Sequence, residues 1–172
     1  MSWASVDVPD GIDAVFTSDL GRAVETARIA FEGSLTPILC DWRLRECDYG
    51  NRNGAPADEV HRDHHSHLDE PYPGGESWRQ AVRRVGRFLD DLHLRWEGSR
   101  TLVIGHIATR WALDHFLNGV PLEDLIEADF AWREGWEYRL DLRRAEMGLE
   151  MPYRREGDNR LTCRCSRPPS AD

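Results

Sequence analysis

The chain has 172 residues, 22 basic and 31 acidic side chains and a formal charge of −9, a length at which one domain burying roughly two-thirds of its unfolded surface is expected. Apolar residues make up 40% and seven are Trp, which supplies a core and excludes a wholly disordered chain. No stretch approaches the ~20 apolar residues of a bilayer span, no basic-then-apolar start marks export, and the acidic balance argues against nucleic acid as main partner, which demands a basic face.

A cytoplasmic protein with neither membrane nor nucleic acid as partner is therefore expected. All basic residues are Arg, Lys being absent, which fits biased codon usage. Cys40, Cys47, Cys163 and Cys165 lack paired zinc-ribbon spacing and read as free thiols.

Residues 1–11 carry little pattern. Ile12-Asp13-Ala14-Val15-Phe16 is a short apolar run, as in a buried parallel strand. Ser18 or Asp19 can then cap a helix, with Leu20, Ala23, Ala27 and Ala30/Phe31 at helical spacing and Gly33 as the stop. Pro37 to Cys40 predicts a second strand. From Arg43 to Pro73 runs a polar excursion holding four of the seven His, long enough to be functional or to carry its own small helix.

Ser77 and Gln80 have capping-box spacing, and Trp78, Val82, Val85, Phe88/Leu89, Leu92 and Trp96 form one face of a long helix closed by Gly98-Ser99. Thr101 to Gly105 is the best strand, with His106 just past its end. Ala108 to Asn118 predicts a helix stopped by Gly119, Pro121 opens another, and Trp136 to Leu142 alternates like an edge strand. One domain over residues 1–150 is expected, with a disordered tail over 151–172.

Strands alternating with helices predict an α/β three-layer sandwich, a mostly parallel sheet with helices on both faces. Ligands of such sheets bind beyond the carboxyl ends of the strands, where Ser18 to Arg22 and His106 lie.

The segment from Val15 to Ala27, with Ser18-Asp19-Leu20-Gly21-Arg22-Ala23, resembles the S-S-D-L-x-R-A-x-x-T-A motif of the histidine phosphatase (phosphoglycerate mutase-like) superfamily. Leu44 to Gly50 resembles its L-x-E-x-x-x-G segment, Tyr72 to Ser77 its P-G-G-E-S, and Val103 to His106 its V-x-H strand end. The four motifs occur in order over residues 12–142.

The resemblance implies roles. Arg22 would clamp a substrate phosphate, a task suited to forked guanidinium donors. His106 would bind the same phosphoryl oxygens and stabilise transition-state charge, more strongly once protonated at lower pH. Glu46 would be the general acid for the leaving oxygen. Asp19 reads as a helix cap, and Glu76 as either a first-turn acid or a site residue.

The family's R-H-G motif, whose His is the nucleophile, is absent from the sequence, so the first strand is expected to be missing in front of Met1. The resemblance places that strand between the one at residues 12–16 and the one at 101–105, implying two facing open edges that could drive self-association. Gly105 to Arg110 also departs from the family's G-H-G-G.

These readings imply a protein acting on a small phosphorylated metabolite through phospho-His, without cofactor or metal and inactive as written. The alternative is a non-catalytic descendant that binds phosphate esters or a protein. The run His61-Arg62-Asp63-His64-His65-Ser66-His67 could suggest a metal module, but its spacing fixes no three ligands on one face, and a solvated loop is preferred.

Overall fold

The computed structural model describes residues 11–56, 59–60, 62–128, 133 and 135–140. Strand β1 (Ala14–Thr17) leads into helix α1 (Gly21–Ala30) and returns to β2 (Ile38–Cys40). After the polar excursion come α2 (Trp78–Arg95), β3 (Thr101–Ile104), α3 (Ile107–Asn118) and the short α4 (Leu122–Glu127). The excursion is built from short 3-10 turns at Trp42–Leu44, Gly50–Arg52 and His64–His67.

The sheet is parallel with order β2-β1-β3. Phe16 sits opposite Leu39 on one side and Val103 on the other. This corrects the expected gap: β1 pairs directly with β3, so no strand is missing between them. Both edges of β1 are satisfied, and among the described residues the free edges are the outer sides of β2 and β3.

Side-chain alternation builds the layers. Ala14 and Phe16 point into a core with Val82, Val85, Phe88 and Leu89 of α2 and Ala112 and Phe116 of α3. Phe16 meets the Phe88 ring edge-on with centroids 5.4 Å apart. Val15 faces the other way, onto Ala27 and Phe31. Helices thus cover both faces, the three-layer α/β sandwich the alternation predicts.

The capping box of α2 forms as expected: Ser77 Oγ accepts from the Gln80 N–H, and Gln80 Oε1 accepts from the Ser77 N–H. Gly119 ends α3 at φ 71°. Trp136 to Leu140 does not form the expected edge strand. Side chains hold it instead: Tyr138 donates to Asp114 at 2.9 Å, and the Arg110 guanidinium lies 4.2 Å from the Trp136 ring centre. The expected tail over 151–172 lies outside the described residues. Among those described, no helix is long and apolar enough to cross a membrane.

Candidate active site

Thr17, Cys40 and Ile104 end the three strands on one side of the sheet, and the following loops converge there. Ser18, fully buried, contacts His106 Nε2 through its hydroxyl at 2.8 Å. Arg22, in the first turn of α1, donates to His106 Nδ1 at 3.2 Å. An arginine can only donate, so Nδ1 accepts, and the neutral ring carries its proton on Nε2 and gives it to Ser18. Burial and the neighbouring Arg22 charge hold His106 down at about 4, so the imidazole is neutral at pH 7.

The cap of α1 expected from Ser18 or Asp19 is not formed. Leu20 occupies the N-cap of α1, without a side-chain bond. Ser18 is taken by His106, and Asp19 grips Arg45 through both oxygens, at 2.6 and 2.5 Å. That pair holds the Asp19 carboxyl below its usual range.

Glu46 reaches the opening of α3. Its Oε2 accepts from the Ile107 N–H at 3.2 Å, and its Oε1 accepts from Ala108 at 3.1 Å and Cys47 at 2.9 Å. Burial pushes the Glu46 carboxyl above its ordinary value, against the opposing pull of those N–H donors. The Glu46 carboxyl therefore meets the main chain immediately after His106 and lies near the Arg22 charge. Gly105 fits only because it lacks a side chain: a Cβ there would run into Thr109.

Sequence reasoning missed the residue that holds this loop in place. Arg84, on α2 and only 7% exposed at its side chain, forks onto both oxygens of Glu76 at 2.9 and 2.7 Å. It also donates to the carbonyls of Arg43 at 2.7 Å, Arg45 at 3.1 Å and Glu46 at 3.2 Å. Glu76 thus stands outside the first turn of α2 and in the wall of the adjoining cavity. Its charge neutralises the clamp.

A cavity of about 740 Å³ opens beside these groups, with Arg22 and Glu46 in its wall. His106 meets this wall through its contact with Arg22. The wall also holds Trp42, Tyr49, Arg45, Arg52 and Asp48. Three of the sequence-designated residues, Arg22, Glu46 and His106, are therefore together, although 84 residues separate the two ends of the Arg22–His106 bond.

The histidine run does not converge. His64 bonds the Ile126 carbonyl at 2.7 Å, His65 meets Glu127 at 2.8 Å, and His67 stacks on Tyr72 with centroids 3.7 Å apart. His61 lies outside the described residues. Among those described, no group of three or more His, Cys, Asp or Glu is placed to hold a metal ion. Cys47 is buried, and that burial raises its thiol far above the range of a reactive thiolate.

The carboxyl ends of the parallel sheet thus gather an arginine, a neutral histidine and a buried glutamate, the polar cluster of an α/β protein at its strand ends. The sequence profile of the histidine phosphatase superfamily (branch 1) matches residues 8–137, and the chain belongs to that superfamily. It is 31% identical over 150 residues to a bifunctional protein of Mycobacterium tuberculosis, covering 83% of this chain and 38% of that protein. It is 32% identical over 119 residues to a probable phosphoglycerate mutase of an Enterobacter strain, covering 64% of this chain and 55% of that one. The chain thus spans well under two-thirds of both relatives. Among solved structures it matches YhfR of Bacillus stearothermophilus with a TM-score of 0.60 and 28% identity, covering 75% of this chain and 67% of that one.

Proposed function

We propose that this chain binds a small phosphomonoester with Arg22 and His106 on the phosphoryl oxygens, His106 turning its Nε2–H from Ser18 to one of them, and Glu46 as proton donor to the leaving oxygen. The observation that carries this reading is Arg22. Of the arginines in the cavity wall, Arg45, Arg52 and Arg84 each have a carboxylate partner, and Arg22 has no ion pair among the described residues. A guanidinium that forms no ion pair, beside a neutral imidazole, is suited to receive an anion. Glu46, raised by burial, retains a proton to give more readily than an exposed carboxyl.

The relatives named for phosphoglycerate mutase support phosphoryl chemistry as the family activity. Covalent transfer needs an attacking atom in line with the leaving group, and the sequence has no R-H-G motif to supply one. Hence the chain as written binds without appreciable turnover. The test is p-nitrophenyl phosphate hydrolysis, measured against a chain lacking both Arg22 and His106. Turnover well above that control refutes inactivity.

A non-catalytic binding role uses the same pocket and is favoured by the same missing motif. The outer edges of β2 and β3 are the places for self-association, which sedimentation over a concentration series detects as a rising mean mass. An unchanged monomer mass rejects it.

A further inference from the structure

We propose that the phosphomonoester this cavity takes has a flat, uncharged alcohol portion, stacked on Trp42, and carries no second anionic group. The inference rests on the phosphate reading of Arg22 and goes beyond it to the other half of the ligand.

The first observation is charge. Arg22 is the one cation in the wall that lacks an ion pair among the described residues. Arg45 is bound by Asp19, Arg52 by Asp63 and Arg84 by Glu76. Recruiting Arg45 or Arg52 to a second anionic group would strand Asp19 or Asp63 beside that group. The wall also presents Asp48, which forms no ion pair among the described residues. It accepts from the Gly50 N–H at 2.9 Å and the Asn53 amide at 2.6 Å, and these bonds hold its carboxyl below the ordinary range. An ionised carboxylate there repels a substrate carboxylate or second phosphate.

The second observation is surface. Trp42 lines the cavity with half of its area exposed (50%), whereas most large apolar side chains here are in the core. It is held rather than loose. Asp41 caps its turn, and the Arg84 guanidinium lies 5.9 Å from the Trp42 ring centre. A fixed aromatic face in a cavity with room beyond one phosphate is a platform for a ring.

Equilibrium binding to the full chain tests this with three phosphonates that cannot be hydrolysed at phosphorus–oxygen ester bonds: methylphosphonate, phenylphosphonate and 3-phosphonopropanoate. Phenylphosphonate should bind about tenfold tighter than methylphosphonate, and 3-phosphonopropanoate no tighter than methylphosphonate. Trp42→Ala and Trp42→Leu should both bring the phenyl-to-methyl ratio near one. Asp48→Asn should improve 3-phosphonopropanoate selectively. Arg22→Ala should weaken all three together.

A phenyl-to-methyl ratio near one in the unaltered chain overturns the proposal, as does tightest binding of 3-phosphonopropanoate. A ratio that survives both Trp42 variants overturns the role of Trp42. If methylphosphonate affinity is indifferent to Arg22→Ala, the phosphate reading itself fails. Binding of none of the three refutes both.

Discussion

Arg22 donates to Nδ1 of His106 across 3.2 Å, a contact that only an unprotonated imidazole nitrogen can accept. The same ring passes its remaining proton to Ser18 on the other side. A guanidinium and a histidine in contact would ordinarily be read as two positive charges. Here the fold makes them one charge and one neutral dipole at pH 7, so protonation of His106 needs a pH near 4. Partial burial and the guanidinium field both disfavour imidazolium.

The pH dependence follows in sign. Folded His106 titrates at about 4, below the ~6.5 of an imidazole in an unfolded chain. As pH falls through 6.5 the unfolded chain gains a proton that the folded one refuses until near 4. The stabilising effect of the neutral ring is thus complete above the unfolded value and declines below it. Melting temperatures of the chain and His106→Gln, compared at pH 7.5 and 5, should show the unaltered chain losing more on acidification. An NMR titration of His106 near 6.5 contradicts the assignment.

Arg22→Ala should weaken phosphate or vanadate binding by about 10- to 100-fold, the worth of charge-assisted hydrogen bonds at ~1.5–3 kcal/mol. It should also raise the His106 titration, since Arg22 lowers it. The two readouts are independent, one by ligand titration and one by NMR. Equal anion affinity for both proteins rejects the clamp role.

Local rules made part of this molecule legible. The capping box at Ser77 and Gln80 is a three-residue relationship, and α2 follows from the period of its apolar face. Arg22, Glu46 and His106 were placed by motif and by the rule that parallel sheets bind ligand at strand ends. What stayed hidden was non-local. Arg84 reads as one more arginine on a helix, because its partners lie on the loop around residues 42–46. Asp19 has the composition of a cap, yet Arg45 offers two charged bonds where a helix N–H offers one. Strand order also depends on which crossover packs beside β1, and the local pattern of Thr101–Ile104 carries no trace of that choice.

Two glycine substitutions should separate close packing from ordinary helix propensity. A Cβ at Gly75 would collide with the Asp48 carbonyl and the Gly50 nitrogen, where the 48–50 and 73–75 segments lie against each other. Gly75→Ala should therefore cost about 1–3 kcal/mol of stability as the backbones part. Gly21 opens α1 with nothing within 4 Å of where its Cβ would stand, so Gly21→Ala should be neutral or stabilising by up to about 1 kcal/mol. Urea unfolding measures both. A harmless Gly75→Ala shows that the two segments do not need this contact.

The Arg84–Glu76 clamp yields the last prediction. Arg84→Met leaves the Glu76 carboxylate without its cation and four loop carbonyls without their donor. Breaking one side of a buried pair costs about 3–5 kcal/mol. Glu76 is 26% exposed at its side chain, so water relieves part of its charge and the lower figure is expected. Arg84→Lys keeps the charge but cannot span a carboxylate and four carbonyls at once, and should fall between. Adding Glu76→Gln to Arg84→Met removes the stranded charge, so the double variant should lose less than the two single losses together. The effect should reach the anion site, because Arg84 holds the main chain of Glu46 itself. Phosphate affinity should drop in Arg84→Met even at temperatures where it remains folded by circular dichroism. A variant that melts within about 0.5 kcal/mol of the unaltered chain and binds phosphate equally well would show that the Glu46 loop stands without Arg84.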